Sequence, residues 1–320
     1  MSRSDRTDRR REPGTTGSNL KWLLLLVVPI GLTGAALAWA LAAGDPVQPE
    51  APARVFADCA GATVLGLAAL PRLHDRLQPP WRVLTVLAGV WAAMEFTMLV
   101  LEAAEVQGLP VRQLSATGFG DYLTNVSGGQ IGIALLIGTG AVTAYSAFGF
   151  RNPDRATADL VLVFTAVTLA LRPITGHMSQ QMFGSVLAAV HALAASAWFG
   201  LLLALALTVR TRGEWAVLLP RYSAWALPLA ATVLATGVLN GLVRVGGLTE
   251  LATTGYGRIL LAKTLFLTAL LALGYWWRKT WVPIASDHRM AAESSLRRAI
   301  GEVLLMAIVF GLAATLAVTA

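Results

Sequence analysis

Nine runs of about 20 apolar residues follow one another along the chain, and they restrict its possible folds more than any other feature. An α-helix of that length crosses the ~30 Å hydrocarbon core of a bilayer. A backbone in lipid must satisfy its hydrogen bonds within its own helix, so the runs predict transmembrane helices. We expect spans that begin near residues 21, 55, 83, 131, 157, 182, 223, 258 and 299. The predicted fold class is all-α: a polytopic helical protein of the cytoplasmic (inner) membrane, embedded in the lipid bilayer.

Composition agrees with this fold class and excludes others. Only 13% of the residues are charged, roughly half the ~25% share of a soluble domain. The single cysteine, Cys59, excludes a disulfide framework and a multi-cysteine metal site. The net charge of +7 comes from Lys and Arg at the ends of the spans. It therefore indicates membrane topology rather than nucleic-acid binding.

The basic residues fall on alternate connections between spans, and this alternation predicts the orientation. An excess of Lys and Arg marks the cytoplasmic side. The rule places the N-terminus inside, the C-terminus outside and residues 102–130 in an external loop. Within that loop, residues 111–123 fit a short amphipathic helix on the surface.

Three segments are expected along the chain. Residues 1–19 are polar and Arg-rich, which predicts a disordered cytoplasmic tail. Residues 20–43 form an apolar run longer than the ~7–15 residues of a secretory signal, so we predict a retained transmembrane anchor. Residues 53–320 form the membrane domain itself.

Ionisable side chains inside spans are costly and usually face the bundle interior or a water-filled cavity. His191 lies within the sixth span, and His177 stands fourteen residues earlier, on the same face if the helix extends that far. The third span carries a stripe of polar and sulfur-containing residues at i, i+3 and i+7, in its outer half: Glu95, Met98 and Glu102.

Thioether and imidazole groups together suit copper better than a hard cation. Met178 and Met182 flank His177 and add two thioethers. We therefore predict a copper site in the external half of the bundle, without an organic cofactor or catalytic residues. The candidate metal ligands are His177, His191, Met178, Met182, Glu95, Met98 and Glu102.

Several motifs, in a fixed order, resemble the copper resistance protein D (CopD) family, in particular its longer actinobacterial-type members. They are "TGH" at 175–177, "VHALAASAWFGLLLAL" at 190–205, "RYSAWALPLAATVLATGVLNG" at 221–241, "LTELATTGYGRILLAKTLF" at 248–266 and "LRRAIGEVLL" at 296–305. The resemblance is strongest over residues 176–320. It implies an eight-helix core, preceded here by one added span, in an inner-membrane protein of copper uptake or tolerance. It also implies a CopC-like extracytoplasmic partner that supplies copper, and it carries over His177 and His191 as copper ligands.

The residues favour transport of copper from the extracytoplasmic side across the membrane, and no enzyme is expected. Two alternatives remain open. A non-transporting factor for copper delivery or respiratory oxidase assembly fits the same sequence. A b-type haem protein is less favoured, because each iron usually needs a second axial ligand from another helix. The other histidines, His74 and His288, lie in predicted cytoplasmic loops.

Overall fold

A computed structural model of the chain describes residues 16–42, 49–175, 184–244 and 248–318. All regular structure in these ranges is helical, and they contain no strand. The α-helices are α1 (Thr16–Lys21), α2 (Val27–Ala42), α3 (Ala51–Leu73), α4 (Trp81–Val106), α5 (Ala116–Asn125), α6 (Ser127–Arg151), α7 (Ala158–Leu171), α8 (Gly184–Thr208), α9 (Arg212–Arg244), α10 (Leu248–Thr253), α11 (Gly255–Ser286) and α12 (Ala292–Val318). Three 3₁₀ turns are η1 (Trp22–Leu26), η2 (Val111–Gln113) and η3 (Arg172–Thr175).

Within the described residues, eight helices are long and apolar enough to cross a membrane. They are the continuous segment Asn19–Ala42 and helices α3, α4, α6, α8, α9, α11 and α12. The predicted all-α polytopic fold is confirmed. The predicted surface helix of the 102–130 segment is also present, as α5, whose N-cap Ser115 accepts a hydrogen bond from the Gly118 amide.

The fifth predicted span differs from the prediction. Its α-helix, α7, has only 14 residues and is too short to count among the eight. Pro173 has no N–H with which to continue the helical ladder, and the chain continues instead as η3. Together α7 and η3 extend about 29 Å, close to the ~30 Å of the hydrocarbon core. The segment that matches the fifth apolar run is therefore part α-helix and part 3₁₀.

The bundle has two chemically different ends. At one end of the bundle α3, α6 and α8 finish, and α4, α7, α9 and α12 begin. This end carries Arg72, Arg151 and Arg212, and we call it the basic end. We call the opposite one the acidic end; Glu50 and Glu105 lie there. The basic end is the predicted cytoplasmic side.

Helix α3 occupies the centre of the bundle. It packs against α2, α4, α7, α8 and α12, and most of its residues are buried. Small residues allow this, and the closest approach joins Gly66 of α3 to Gly200 of α8. A Cβ atom at either glycine would collide with the backbone of the facing helix. Such contacts between small residues hold membrane helices together by close packing.

The N-terminal span packs along the last helix rather than standing apart as an isolated anchor. Gly31 and Gly34 of α2 face the backbone of α12, where Gly311 in turn faces Gly31. The Lys21 ammonium group donates to the carbonyl oxygens of Leu207 and Val209 at the end of α8, at 2.7 and 3.1 Å. The span predicted as an addition to the core is thus integrated into the bundle by glycine contacts and a charged group.

Candidate metal-binding cavity

A cavity of about 1440 Å³ extends from the acidic end into the bundle. Helices α3, α4, α8, α9, α11 and α12 all contribute to its wall. Four candidate ligands predicted from the sequence line it: Glu95, Met98, Glu102 and His191. The structure therefore brings the stripe of α4 and the histidine of α8 to one space, which the spacing of residues alone did not establish.

His191 is held by a hydrogen bond that fixes its tautomer. The ring atom Nδ1 lies 2.9 Å from Oγ1 of Thr236 on α9. The Thr236 hydroxyl donates its single proton to the Thr232 carbonyl, 2.6 Å away. Thr236 must then accept from His191, so Nδ1 carries the ring proton and Nε2 keeps a free lone pair. A neutral imidazole with its other nitrogen hydrogen-bonded is the usual form of a metal-binding histidine.

A glycine leaves room for this ring. Gly237 follows Thr236, and a Cβ atom built there would lie 3.4 Å from Cε1 of His191. An alanine there would be in van der Waals contact with the imidazole. The pair Thr236-Gly237 therefore both orients the ring and leaves space for it.

Glu95 has a cationic partner that the sequence analysis did not identify. The Arg172 guanidinium, just after α7, forms an ion pair with one carboxylate oxygen of Glu95. The ring N–H of Trp91 donates to the other oxygen at 2.8 Å. A second nitrogen of Arg172 lies 3.9 Å from the Met98 sulfur. Two of the predicted ligands are thus in contact with a guanidinium group.

The signal for Arg172 was available in the sequence, because a buried carboxylate usually needs a cation. The only cation on α4 is Arg82, more than three helical turns from Glu95, so only the packing of α7 against its neighbours identifies the partner. Lys263, which also lines the cavity, forms no ion pair among the described residues.

Glu102 lies closer to the acidic end, in the last turns of α4. Its Oε2 atom accepts a hydrogen bond of 3.1 Å from the Tyr122 hydroxyl of α5. Burial, and next the charge of Glu102, raise the pKa of Tyr122, which keeps the phenol protonated as a donor. The surface helix α5 therefore braces one acidic wall of the cavity.

Three further carboxylates surround this part of the wall: Glu50, Asp58 and Glu105. Asp58 is 3.9 Å from Arg54 in an i, i+4 pair. Cys59, beside Asp58, is buried in the core between helices and does not line the cavity. The thiol that the sequence places near this end therefore does not belong to the site.

Glu50 precedes the first turn of α3 and titrates near neutral pH. Burial raises its pKa to about 7, against the opposing effect of a backbone hydrogen bond. The charges of Glu105 and Glu102 act in the same direction as burial, and that of Arg54 opposes them. The wall at the acidic end therefore becomes more negative as the pH rises through 7.

This shift predicts a pH-dependent effect on stability. A carboxyl group whose pKa is higher in the folded state than in the unfolded state favours folding while it is neutral. That contribution is lost as the pH rises from about 4.5 to about 7. We expect Glu50→Gln to raise the thermal unfolding temperature at pH 8 and to leave it unchanged at pH 4. Unfolding curves in detergent would measure this, and parallel pH profiles of the two proteins would contradict it.

The remaining predicted ligands lie outside the described residues: His177, Met178 and Met182. Among the described residues, no group of three or more His, Cys, Asp or Glu side chains is arranged to hold a metal ion. Of the histidines that the structure describes, His191 alone lines the cavity, while His74 and His288 lie at the basic end. The described part of the site thus provides one imidazole, one thioether and several carboxylates.

Comparison with known proteins finds a similarity in the C-terminal region. Residues 216–316, which include α11 and most of α9 and α12, match the family model described as Copper resistance protein D. This region is thus similar to the CopD family. A stretch of 141 residues is also 30% identical to Copper transport protein CutJ of Bacillus subtilis (strain 168). It covers 41% of this chain and 24% of that relative, so the match spans about a quarter of the relative's length. No solved structure matches the chain.

The region that matches the family model contributes directly to the cavity. Tyr256 and Lys263 of α11, which belong to the motif that resembles the family signature, line its wall. Arg258, between them, donates to the carbonyls of Leu41 and Thr253 at 2.6 and 3.1 Å. This motif therefore places two side chains in the cavity and anchors α11 to the end of α2.

Proposed function

We propose that this protein takes up a copper ion at the acidic end and passes it across the membrane, with His191 as a ligand inside the cavity. The observation that carries the proposal is the state of His191: a partly buried imidazole whose Nδ1 is held by Thr236, in the wall of a large cavity. Two similarities support copper as the substrate: residues 216–316 match the Copper resistance protein D model, and part of the chain resembles a copper transport protein.

The charges along the wall suit entry and release rather than tight storage. Glu50, Glu102 and Glu105 lie toward the acidic end, where negative charge attracts a cation. Deeper in the cavity, the charge of Lys263 acts on His191 and opposes a second positive charge there. An ion that crosses a membrane must bind favourably enough to enter and weakly enough to leave. The gradient of charge meets both conditions.

The ion pair of Glu95 modifies the predicted ligand set. With Arg172 beside it, the Glu95 carboxylate is neutralised, and the Met98 sulfur faces the same guanidinium. We propose that these two residues hold Arg172 in the wall and become ligands only if the guanidinium moves. His177, Met178 and Met182 remain proposed outer ligands, and a CopC-like extracytoplasmic protein remains the proposed copper donor.

Copper uptake into proteoliposomes tests the proposal. Wild-type protein should accumulate copper in a chelator-loaded lumen, and His191→Ala should lose most of this uptake. Thr236→Val removes the partner of Nδ1 and should weaken copper binding by about 10–100-fold, the usual effect of losing the hydrogen bond behind a histidine ligand. Binding would be measured by titration calorimetry in detergent.

Two further variants control this experiment. His74→Ala, at the basic end, should keep wild-type uptake. Lys263→Met should tighten copper binding, because it removes a positive charge near the ring. Wild-type uptake that survives in His191→Ala would contradict the proposed role of the ring. Copper binding without any uptake would favour instead a role in copper delivery or oxidase assembly.

A further inference from the structure

A second cavity, of about 130 Å³, lies in the basic half of the bundle, between α8, α9, α11 and α12. Three of its lining residues are almost completely buried: Trp198, Tyr222 and Glu302. Trp198 lies ten residues before the end of α8. Tyr222 and Glu302 lie ten residues after the start of α9 and of α12, and all three of these helix ends are at the basic end of the bundle. At 1.5 Å per residue, all three lie about 15 Å from that end. Three helices thus deliver these polar groups to one depth.

Glu302 has no ion-pair partner among the described residues, unlike Glu95. Two nearby cations are engaged elsewhere, and a third forms no ion pair among the described residues. Arg278 of α11, which also lines the cavity, donates to the carbonyl and hydroxyl of Ser223 at 2.8 and 3.2 Å. Arg221 of α9 donates to a main-chain carbonyl of α3. Arg298, one turn before Glu302 on α12, has a buried NH1 group without a hydrogen-bond partner.

A carboxyl group in such a place favours its neutral form. Transfer of an unpaired carboxylate into a low-dielectric interior is so unfavourable that the group usually takes up a proton instead. In transmembrane helices, buried carboxylic acids of this kind commonly belong to proton pathways.

Tyr222 provides the second, independent observation. Its hydroxyl is buried and makes no hydrogen bond of good geometry, although the Glu302 carboxyl and the Trp198 ring N–H both lie close to it. A water molecule occupies about 30 Å³ in the liquid, so the cavity has room for a few. An unsatisfied hydroxyl, a carboxyl and space for water are the parts that proton exchange requires.

We propose that Glu302 is a proton-binding group that exchanges its proton with the basic end through Tyr222 and water in the smaller cavity. In each exchange the O–H bond of the carboxylic acid breaks, the proton passes to water and a carboxylate remains. Uptake of a proton from water restores the acid. No oxidant or reductant is needed.

The same two helices, α8 and α9, line both cavities. His191 and Trp198 are seven residues apart on α8, about 10 Å along its axis, and α9 places a residue beside each of them, Thr236 and Tyr222. A cation that reaches His191 would favour the ionised form of Glu302 and so the loss of its proton. This coupling rests on the copper transport proposed above, whereas proton binding by Glu302 does not.

Infrared spectroscopy tests the protonation of Glu302 without any transport. At neutral pH the difference spectrum between wild-type protein and Glu302→Gln should show the C=O stretch of a buried carboxylic acid, which separates Glu302 from Glu50. Glu293→Gln is the matched control, because Glu293 begins the same helix but is paired with Arg297 at 3.2 Å. The difference spectrum between wild-type protein and Glu293→Gln should lack this band. If the Glu302→Gln difference spectrum also lacks it, as expected when Arg298 pairs with an ionised Glu302, the proposal is overturned.

Proteoliposomes with an internal pH dye test the coupling. Copper uptake by wild-type protein should move protons in the opposite direction. Glu302→Gln should keep wild-type copper binding and abolish proton movement, and Tyr222→Phe should slow it. Copper uptake with no proton movement would overturn the coupling and leave the copper function intact. If the protein shows the carboxylic acid band of Glu302 but no copper uptake, the proposed copper function is overturned and the proton site is retained.

Discussion

Replacing Arg172 with alanine is expected to lower the free energy of unfolding by about 3–5 kcal/mol, the usual effect of breaking a buried ion pair. The side chains of Arg172 and Glu95 are only 12% and 3% exposed. Alanine would leave the Glu95 carboxylate buried with the Trp91 N–H as its remaining hydrogen-bond donor among the described residues. The Met98 sulfur would also lose its contact with the guanidinium. Chemical unfolding in detergent would measure the change.

A surface ion pair in the same protein provides the control. Arg72 and Asp159 are 2.9 Å apart, but their side chains are 63% and 51% exposed. Water screens such a pair, so Arg72→Ala should cost less than about 1 kcal/mol. The double variant Glu95→Gln, Arg172→Met removes both buried charges and should recover most of the loss. Equal effects of Arg172→Ala and Arg72→Ala would contradict the importance of burial for this pair.

Gly66→Leu is expected to prevent the bundle from forming. A Cβ atom at Gly66 would overlap the backbone of Gly200, and backbone cannot move aside as a flexible side chain can. Added methylene groups in a well-packed core typically cost about 1–3 kcal/mol, and this substitution adds a whole side chain at a helix crossing. We expect loss of the monodisperse protein in size-exclusion chromatography, because the central helix α3 would separate from α8.

Gly140→Leu is the matched control for this substitution. Gly140 lies in transmembrane helix α6 and is exposed on the bundle surface, and a Cβ atom there would meet no neighbour within 4 Å. The same change of residue should therefore leave the elution profile as in wild type. If both leucine variants remained monodisperse, the close approach of α3 and α8 would not be essential for the fold.

The arrangement of the outer cavity could be predicted only in part. Spacing at i, i+3 and i+7 correctly predicted that Glu95, Met98 and Glu102 share one face of α4, and all three line the cavity. Spacing has no information about a neighbouring helix. It could not show that His191 lines the same cavity or that Arg172 would pair with Glu95. Spacing likewise does not single out Glu302 and Tyr222, because they lie on different helices, α12 and α9.

The sequence by itself determined that this chain is a bundle of membrane helices, because long apolar runs leave the backbone no other way to satisfy its hydrogen bonds in lipid. It also determined which end of the bundle is basic and which residues of each helix share a face. Only the tertiary structure decided the partners across helices: the Gly66 and Gly200 contact, the orientation of His191 by Thr236, and the burial of Glu302 without a cation. Helical periodicity fixes directions around one axis, whereas these contacts depend on how close packing places one axis against the next.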